Sequence, residues 1–374
     1  MPFAEQAFGS LGETRVLEGR HISADDVRDV ELLAIRSTTR VNRALLEGSR
    51  VRFVGTATIG TDHLDIPYLE QAGIAWCFAA GCNANSVSEY VTAALLHLGQ
   101  RHGFTLEGLT IGVVGIGNVG RRVVQKVQAL GLRVLMNDPP RERLGDGGPY
   151  VPLETILAQA DIVTVHVPLN KTGIDRTWHL ADAAFFARMK PGSIFIDAAR
   201  GAVVETDALL QALAYGHIRS AVLDTWEGEP AYRRDIMDRV DLATPHIAGH
   251  SFEGKVMGTV LVYREACRFL GVPASWSHEP LMPPASVPVL TVEAAGRPDE
   301  AVLHEVVRQV YDIAADDRRF RETAVADDAQ RAAHFDRLRK DYPERREFNY
   351  TRVTAKGGGA SLGAKLVGLG FAVA

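Results

Sequence analysis

The chain has 374 residues, a formal net charge of −5, 46% hydrophobic residues and 23% charged residues. At ~100–200 residues per domain this length predicts two or three domains, and the composition is that of an ordinary folded globular protein. It excludes a disordered chain, a collagen-like chain and a nucleic-acid binder that works through bulk positive charge.

The termini and the cysteines carry no targeting or metal signal. No stretch approaches the ~18 uninterrupted apolar residues that span a bilayer, and the first residues lack the basic and apolar regions of a signal peptide. Cys77, Cys82 and Cys267 are odd in number and form no CxxC pair, so neither a disulfide framework nor a zinc site is suggested. We expect a cytoplasmic protein that binds no metal, nucleic acid or membrane.

Residues 31–94 alternate short apolar runs with helical patterns. These patterns predict strands at 31–37, 51–56 and 73–78, and helices at 65–72 and 86–98. Alternating strands and helices favour a parallel sheet.

Residues 110–138 form the strongest single unit. An apolar strand at 110–114 leads into the loop Gly115-Ile-Gly-Asn-Val-Gly120, and a helix at 121–130 and a strand at 133–138 follow. The series continues with predicted strands at 161–167, 193–197, 221–224 and 242–245. This succession predicts a Rossmann-type, doubly wound parallel sheet.

The composition shifts after about residue 275. The prolines that mark this boundary are Pro273, Pro280, Pro283, Pro284 and Pro288. Beyond them, helices are predicted at 299–315 and 327–340. The charged segment 341–348 is expected to be a solvated surface or part of a subunit contact.

The glycine-rich loop has the context that nucleotide binding requires, because a strand precedes it, a helix follows it and an acidic residue ends the next strand. Gly115 permits the tight turn, Gly117 lets the backbone approach a pyrophosphate, and Gly120 lets the helix pack on the strand. Asn118 and Val119 complete the loop at the helix N-terminus, whose N–H groups favour phosphates. A glycine turn without a nucleotide is the alternative.

Asp138 lies 18 residues after Gly120, at the end of the second strand. A carboxylate there can bond both hydroxyls of an adenosine ribose and would repel a 2′-phosphate. NAD is therefore favoured over NADP, although Arg141 and Arg143 close by argue the other way.

Three candidate catalytic residues each follow an apolar strand. They are Arg200, Glu229 and His246, and ligands in such sheets bind beyond the carboxyl ends of strands. Histidine suits proton transfer near neutral pH, a carboxylate beside it stabilises the imidazolium, and an arginine can grip a substrate carboxylate. Taken singly, each has a structural alternative: a surface ion pair, a solvated carboxylate or a structural histidine.

Four segments resemble the D-isomer-specific 2-hydroxyacid dehydrogenase family: VGIGNVGRRV at 114–123, DAARGAVVETDALLQAL at 197–213, VLDTWEGEP at 222–230 and TPHIAGH at 244–250. The resemblance implies that Arg200 binds and polarises the substrate, that Glu229 pairs with the histidine, and that His246 is the acid/base. It also implies contacts to NAD from Asp138, Val167, Asp224 and Gly249.

Further segments resemble one branch of that family, which oxidises a phosphorylated 2-hydroxy acid: RSTTRVN at 36–42, VGTATIGTDHLD at 54–65, GCNANSVSEYV at 81–91, NDPPR at 137–141 and FDRLRKDYPERREF at 335–348. The resemblance implies a homodimer, a small phosphorylated hydroxy acid as substrate and a 2-oxo acid as a hydride acceptor. Ser37 and Thr58 are expected to contact substrate. Arg36, Ser37 and Arg40 suit a cluster that grips phosphate, with a solvated surface charge as the alternative for Arg40.

The chain departs from the family pattern in two places. His250 stands where the family has a substrate-contacting tyrosine; it is expected to bind substrate and can donate to a phosphate. The first strand of the small domain is also expected to be missing, through a mis-called start. In the flavodoxin-like order 2-1-3-4-5 that strand is central, so its loss would leave its neighbours unpaired.

These observations predict an α/β enzyme of three parts. A smaller flavodoxin-like substrate domain comprises 1–88 and 249–275, the Rossmann-type NAD domain 89–248, and a C-terminal α+β dimerisation domain 276–374, with the active site in the cleft between the first two. The alternatives are a dehydrogenase for another D-2-hydroxy acid, such as phosphoglycerate or glycerate, and a non-catalytic NAD-sensing protein.

Overall fold

The computed structural model describes residues 1–322 and 327–374, which fall into two compact units. The first unit contains residues 1–84 and 250–284, and the second contains residues 85–249 and 285–374. Most of the segment that the sequence assigns to a dimerisation domain thus groups with the nucleotide-binding residues. Its role in dimerisation stays a prediction.

The strands and helices of the described residues follow one another in an α/β pattern. The strands are β1 (Leu32–Ile35), β2 (Phe53–Thr56), β3 (Ala75–Phe78), β4 (Thr110–Val114), β5 (Arg133–Asn137), β6 (Ile162–Val165), β7 (Ser193–Asp197), β8 (Ile218–Leu223), β9 (Leu242–Ala243), β10 (Val289–Glu293), β11 (Arg352–Lys356) and β12 (Ala372–Val373). The helices are α1 (Ala4–Gly9), α2 (Ala24–Val27), α3 (Arg43–Leu46), α4 (Ile66–Gln71), α5 (Ala84–His102), α6 (Asn118–Ala129), α7 (Pro139–Leu144), α8 (Leu153–Gln159), α9 (Ala183–Arg188), α10 (Thr206–Ala214), α11 (Arg234–Met237), α12 (Phe252–Leu270), α13 (Asp299–Val310), α14 (Ile313–Glu322), α15 (Asp328–Lys340) and α16 (Ala360–Leu369). Short 3₁₀ turns lie at Gly19–His21, Gly201–Val203, Glu279–Leu281 and Phe348–Tyr350.

The first unit is built on a three-stranded parallel sheet in the order β1-β2-β3. Ile35 is opposite Thr56, and Thr56 is opposite Phe78, so the three strands end at one edge of the sheet. β1 lies at an edge of this sheet, and residues 1–31, which precede it, form no strand. The described residues therefore contain only part of the five-stranded flavodoxin-like order.

The second unit contains a six-stranded parallel sheet in the order β5-β4-β6-β7-β8-β9, which confirms the predicted doubly wound fold. The strand order reverses beside β4, the point at which sheets of this kind bind ligands. Ile111 and Val113 of β4 are completely buried, as expected for a central strand covered by helices on both faces.

The C-terminal residues add a separate parallel sheet in the order β10-β11-β12. The helix predicted at 299–315 is two helices, because the backbone of Tyr311 is extended between α13 and α14. The Tyr311 hydroxyl donates to the Asp316 carboxylate at 3.0 Å, which ties the turn to the first part of α14.

The second half of the charged segment 341–348 is not the solvated surface that its composition suggests. Arg345, Arg346 and Glu347 are only 5%, 2% and 8% exposed. The solvated-surface prediction is therefore wrong for these three residues, although Asp341 and Glu344 are exposed, and the alternative of a subunit contact stays a prediction. It fails because the groups that Arg345 binds lie 97 and 259 residues away along the chain. Local charge patterning cannot show such contacts.

Two further features bear on the sequence-based expectations. Among residues 1–322 and 327–374, no helix is both long and apolar enough to cross a membrane. The three cysteines are free thiols, with Cys267 buried and the other two partly buried.

Candidate active site

The glycine-rich loop joins β4 to α6 and leaves space in front of the helix. Gly115 has φ +90°, and a Cβ there would lie 2.7 Å from the carbonyl oxygen of His166. A Cβ on Gly120 would lie 1.9 Å from the carbonyl oxygen of Gly115, so helix and loop can pack this closely only with glycine. A Cβ on Gly117, which precedes the helix, would have no other group within 4 Å. This open space suits the close approach of a pyrophosphate to the backbone.

The start of α6 and the residue after β6 border the same space. α6 begins at Asn118 and continues through Val119. Because Gly117, the residue before the helix, has no side chain to cap it, the N–H groups of the first turn are available to an anion. Val167 follows β6, and its Cγ1 would be 2.9 Å from a Cβ on Gly115. The structure thus brings Val167 to the glycine-rich loop.

The Asp138 carboxylate is held beside this loop. One oxygen accepts a hydrogen bond from the Ile116 N–H at 2.7 Å and the other from the Arg141 N–H at 3.1 Å. Arg141 pairs with Asp146 at 2.6 Å, and Arg143 pairs with Asp175 at 2.5 Å. Because each arginine has its own carboxylate, the charge beside Asp138 favours NAD over NADP, and the loop, the helix N-terminus and this carboxylate together fit NAD.

The three candidate catalytic residues follow three neighbouring strands. Arg200 comes after β7, Glu229 after β8 and His246 after β9, and these strands are adjacent and parallel. Their carboxyl ends therefore meet at the same edge of the sheet. Arg200 is half-buried and donates to the carbonyl oxygen of Ala199 at 2.7 Å.

Glu229 and His246 form a direct pair. Glu229 Oε1 lies 2.6 Å from His246 Nδ1, and Glu229 Oε2 accepts the Trp226 N–H at 3.1 Å. Burial alone would raise the pKa of the Glu229 carboxyl, but the attraction of His246 and these hydrogen bonds lower it below its ordinary value. His246 has φ +55°, a conformation that non-glycine residues rarely adopt and that is concentrated at functional sites.

Asp224 organises the loop that carries the histidine. Its fully buried carboxylate accepts hydrogen bonds from Thr244 Oγ1 at 2.6 Å, from the Ile247 N–H at 2.8 Å and from the Ala248 N–H at 2.9 Å. The Asp224 carbonyl accepts the His246 N–H at 2.7 Å. Burial raises the pKa of this carboxyl, with His246 opposing the shift. The predicted contacts of Asp224 and Gly249 with NAD stay predictions.

Sequence reasoning missed Asp197, which ends β7. It is completely buried and accepts hydrogen bonds from the Ala199 N–H at 2.8 Å and from Thr225 Oγ1 at 2.7 Å. Burial raises its pKa to about 7. A carboxylate that directly follows three apolar residues at the end of a predicted strand was the signal that could have revealed it.

The predicted substrate residues Arg36, Ser37, Thr58 and His250 all belong to the first unit. Arg36 and Ser37 follow β1, and Thr58 follows β2, at the edge where these parallel strands end. Thr58 Oγ1 lies 2.8 Å from Thr56 Oγ1, which lies 2.8 Å from His63 Nε2. His63, another residue that sequence reasoning did not single out, therefore orients the hydroxyl pair; burial lowers its pKa.

Comparison with known proteins identifies the family of the chain. Residues 76–248 match the model of the D-isomer-specific 2-hydroxyacid dehydrogenase NAD-binding domain, and residues 281–370 match a domain family of unknown function, DUF3410. The erythronate-4-phosphate dehydrogenase of Edwardsiella ictaluri is 49% identical over 94% of this chain and 92% of its own length. That of Ectopseudomonas mendocina is 45% identical over 100% and 97%.

A solved structure supports the fold. The 3-phosphoglycerate dehydrogenase of Entamoeba histolytica with bound NAD⁺ aligns with a TM-score of 0.62 at 19% identity, over 72% of this chain and 89% of that one. The NAD-binding domain makes this chain an NAD-dependent oxidoreductase. Because it is 45–49% identical to these curated relatives over nearly its whole length, the chain belongs to the erythronate-4-phosphate dehydrogenase family, within the D-isomer-specific 2-hydroxyacid dehydrogenases.

Proposed function

We propose that this chain oxidises 4-phospho-D-erythronate to (R)-3-hydroxy-2-oxo-4-phosphooxybutanoate with NAD, in the biosynthesis of pyridoxal 5′-phosphate. The observation that carries the proposal is the Glu229–His246 pair at 2.6 Å, at the carboxyl edge of a sheet that also bears the glycine-rich loop. The name of the relatives, 44–49% identical over at least 93% of this chain, supplies the substrate.

The pairing assigns the proton positions on His246. A carboxylate only accepts hydrogen bonds, so Nδ1 carries a proton toward Glu229 and Nε2 keeps its lone pair. Bound NAD supplies the acceptor for the hydride that leaves C2 of the substrate. The proton of the C2 hydroxyl passes to His246 Nε2, and the Glu229 carboxylate stabilises the resulting imidazolium. Arg200 binds the substrate carboxylate and polarises the developing carbonyl.

The substrate phosphate is assigned to the first unit. Arg36, Ser37 and Arg40 lie in the turn after β1 and offer two guanidinium groups and a hydroxyl. Thr58 contacts substrate from the end of β2. His250 adds a ring N–H donor to the same group.

The same proposal includes the setting of the enzyme. The protein works in the cytoplasm as a homodimer whose C-terminal residues form the subunit contact, and a 2-oxo acid reoxidises its NADH. The near full-length likeness to the curated relatives supports a common organisation.

The decisive experiment is an assay of the purified protein with 4-phospho-D-erythronate, NAD and a 2-oxo acid, with the product identified by mass spectrometry. We expect the 2-oxo product, and we expect His246→Ala to abolish turnover while NAD still binds. Turnover of phosphoglycerate or glycerate, with none of 4-phospho-D-erythronate, would identify a dehydrogenase for another hydroxy acid. NAD binding without turnover of any of these acids would favour a sensing role.

A further inference from the structure

The polypeptide passes between the two compact units at three places. These are the links between residues 84 and 85, between 249 and 250, and between 284 and 285. One short stretch of the second unit, residues 345–352, bonds to the backbone or side chains close to every one of these links. We call this stretch the clamp segment.

The first link is held by two residues of the clamp segment. Arg345 Nη2 donates to the carbonyl oxygen of Ser86 at 2.6 Å. The Glu347 carboxylate accepts from Ser86 Oγ at 2.9 Å and from Asn85 Nδ2 at 2.7 Å. The first turn of α5, which contains the link, is therefore held through both its backbone and its side chains.

The second and third links are held in the same way. Arg345 Nη2, the atom that binds Ser86, also donates to the carbonyl oxygen of Ala248 at 3.0 Å. Thr351 Oγ1 donates to the carbonyl oxygen of Val287 at 2.7 Å, three residues beyond the last link. One guanidinium group thus bridges two chain segments that are far apart in sequence: one where the chain enters the second unit and one where it leaves it.

Arg345 is itself buried and packed against an aromatic ring. It is 5% exposed, and its guanidinium lies 4.1 Å from the centre of the buried Tyr311 ring. A cation held over an aromatic ring and bonded to two carbonyls is pre-organised as a donor. Because burying a charge is costly unless it is paired, such a residue points to a specific role in this chain.

The bond to Ala248 connects Arg345 to the catalytic loop. The Ala248 N–H donates to the Asp224 carboxylate at 2.9 Å, so the backbone of this residue is held on both sides. Ala248 is two residues from His246, whose own N–H is bound by the Asp224 carbonyl. A shift of Ala248 would therefore be transmitted to the histidine through a short loop in which the N–H groups of His246, Ile247 and Ala248 are all bound by Asp224.

We propose that Arg345 is a positioning residue for the hydride-transfer reaction: it fixes the loop 244–249 and the start of α5 against each other, so that His246 is held in its reactive place. The proposal rests on the proposed function only in requiring that His246 act in turnover. It assigns Arg345 no contact with substrate or NAD.

The test compares Arg345→Met with Arg345→Lys and with the control Arg352→Met, which removes an exposed arginine of the same segment. At a temperature well below the unfolding midpoint, we expect Arg345→Met to lower kcat at least about tenfold, because misplacement of a catalytic group by about 1 Å costs on the order of 10²-fold in rate. The affinity for NAD should change by less than about threefold, since the glycine-rich loop and Asp138 make no bond to Arg345. Arg345→Lys retains the charge and a donor and should recover part of kcat, while the control should match the wild type.

A purely structural role would lower the unfolding midpoint without changing kcat, and a kcat of Arg345→Met within about twofold of wild type would overturn the proposal. If Arg345→Met does not fold, Arg345→Lys decides: a wild-type kcat contradicts the positioning role. Hydrogen exchange of the amides at 246–250 provides a readout that needs no turnover. We expect faster exchange in the Arg345 variants than in the control, and equal exchange would overturn the proposal even if the substrate proves to be a different hydroxy acid.

Discussion

Glu229 Oε1 and His246 Nδ1 lie 2.6 Å apart, while the second carboxylate oxygen of Glu229 accepts the Trp226 N–H. Both oxygens of the carboxylate are therefore committed, one to the ring and one to the backbone of its own loop. This arrangement orients the imidazole ring and places a proton on Nδ1. It leaves Nε2 as the ring nitrogen that can accept a proton from the substrate.

Replacing Glu229 with glutamine should separate orientation from charge. The amide is nearly isosteric and can still bond to Nδ1, but it cannot stabilise the imidazolium that forms during oxidation. We expect kcat to fall by about 10- to 100-fold, with NAD binding unchanged. Glu227→Gln is the matched control, because the Glu227 carboxylate lies two residues away and pairs with His179 at 2.6 Å instead. Equal losses in the two variants would contradict a specific role for Glu229.

The two loop glycines predict different outcomes for the same substitution. Gly120→Ala places a methyl group 1.9 Å from the Gly115 carbonyl oxygen, so α6 must move, and both stability and NAD affinity should fall. Gly117→Ala meets no protein atom within 4 Å, so the protein should fold normally while the methyl group obstructs the pyrophosphate. We expect at least a tenfold loss of NAD affinity in both variants, about 1.4 kcal/mol or more, with a lower unfolding midpoint only in Gly120→Ala. NAD titration and thermal unfolding measure the two effects, and unchanged affinity in Gly117→Ala would place the pyrophosphate elsewhere.

Arg40 offers a test of the phosphate assignment, because it is exposed and its replacement should not disturb packing. If it grips phosphate, Arg40→Met should raise KM for 4-phospho-D-erythronate about tenfold or more and leave kcat/KM for unphosphorylated erythronate unchanged. Arg43→Met is the control, since Arg43 already pairs with Glu47 at 3.3 Å. An unchanged KM in Arg40→Met would make Arg40 a solvated surface charge.

The parts of the site that follow from local sequence were predictable. Gly115, Gly117 and Gly120 are required by a turn and a helix contact that lie within a few residues, and Asp138 follows from the strand that comes next. The Glu229–His246 pair needed one further assumption, that neighbouring parallel strands end at the same edge.

Other parts depend on contacts between distant residues, which a single sequence does not show. Arg345 and Glu347 have the composition of a solvated turn, yet they bind Asn85 and Ser86, about 260 residues away. Asp224 was assigned to NAD by resemblance, but its oxygens already accept three hydrogen bonds from the loop around His246. The break at Tyr311 is similar, because a helical pattern continues through it and a tertiary hydrogen bond to Asp316 accompanies the turn.

Asp197 predicts a pH dependence of stability. Burial raises the pKa of its carboxyl to about 7 in the folded chain, against an ordinary value of about 3.9 in the unfolded chain. Between these pH values the folded chain holds a proton that the unfolded chain releases, so the free energy of unfolding decreases as pH rises, by up to about 1.4 kcal/mol per pH unit. Asp197→Asn removes this pH-dependent contribution to the free energy of unfolding. The free energy of unfolding of the variant minus that of the wild type should therefore increase from about pH 4 to about pH 7 and then level off. Urea denaturation across this range measures the difference, with Asp29→Asn as a control for the loss of an exposed carboxylate. Parallel pH curves for wild type and Asp197→Asn would show that Asp197 is ionised in the folded protein.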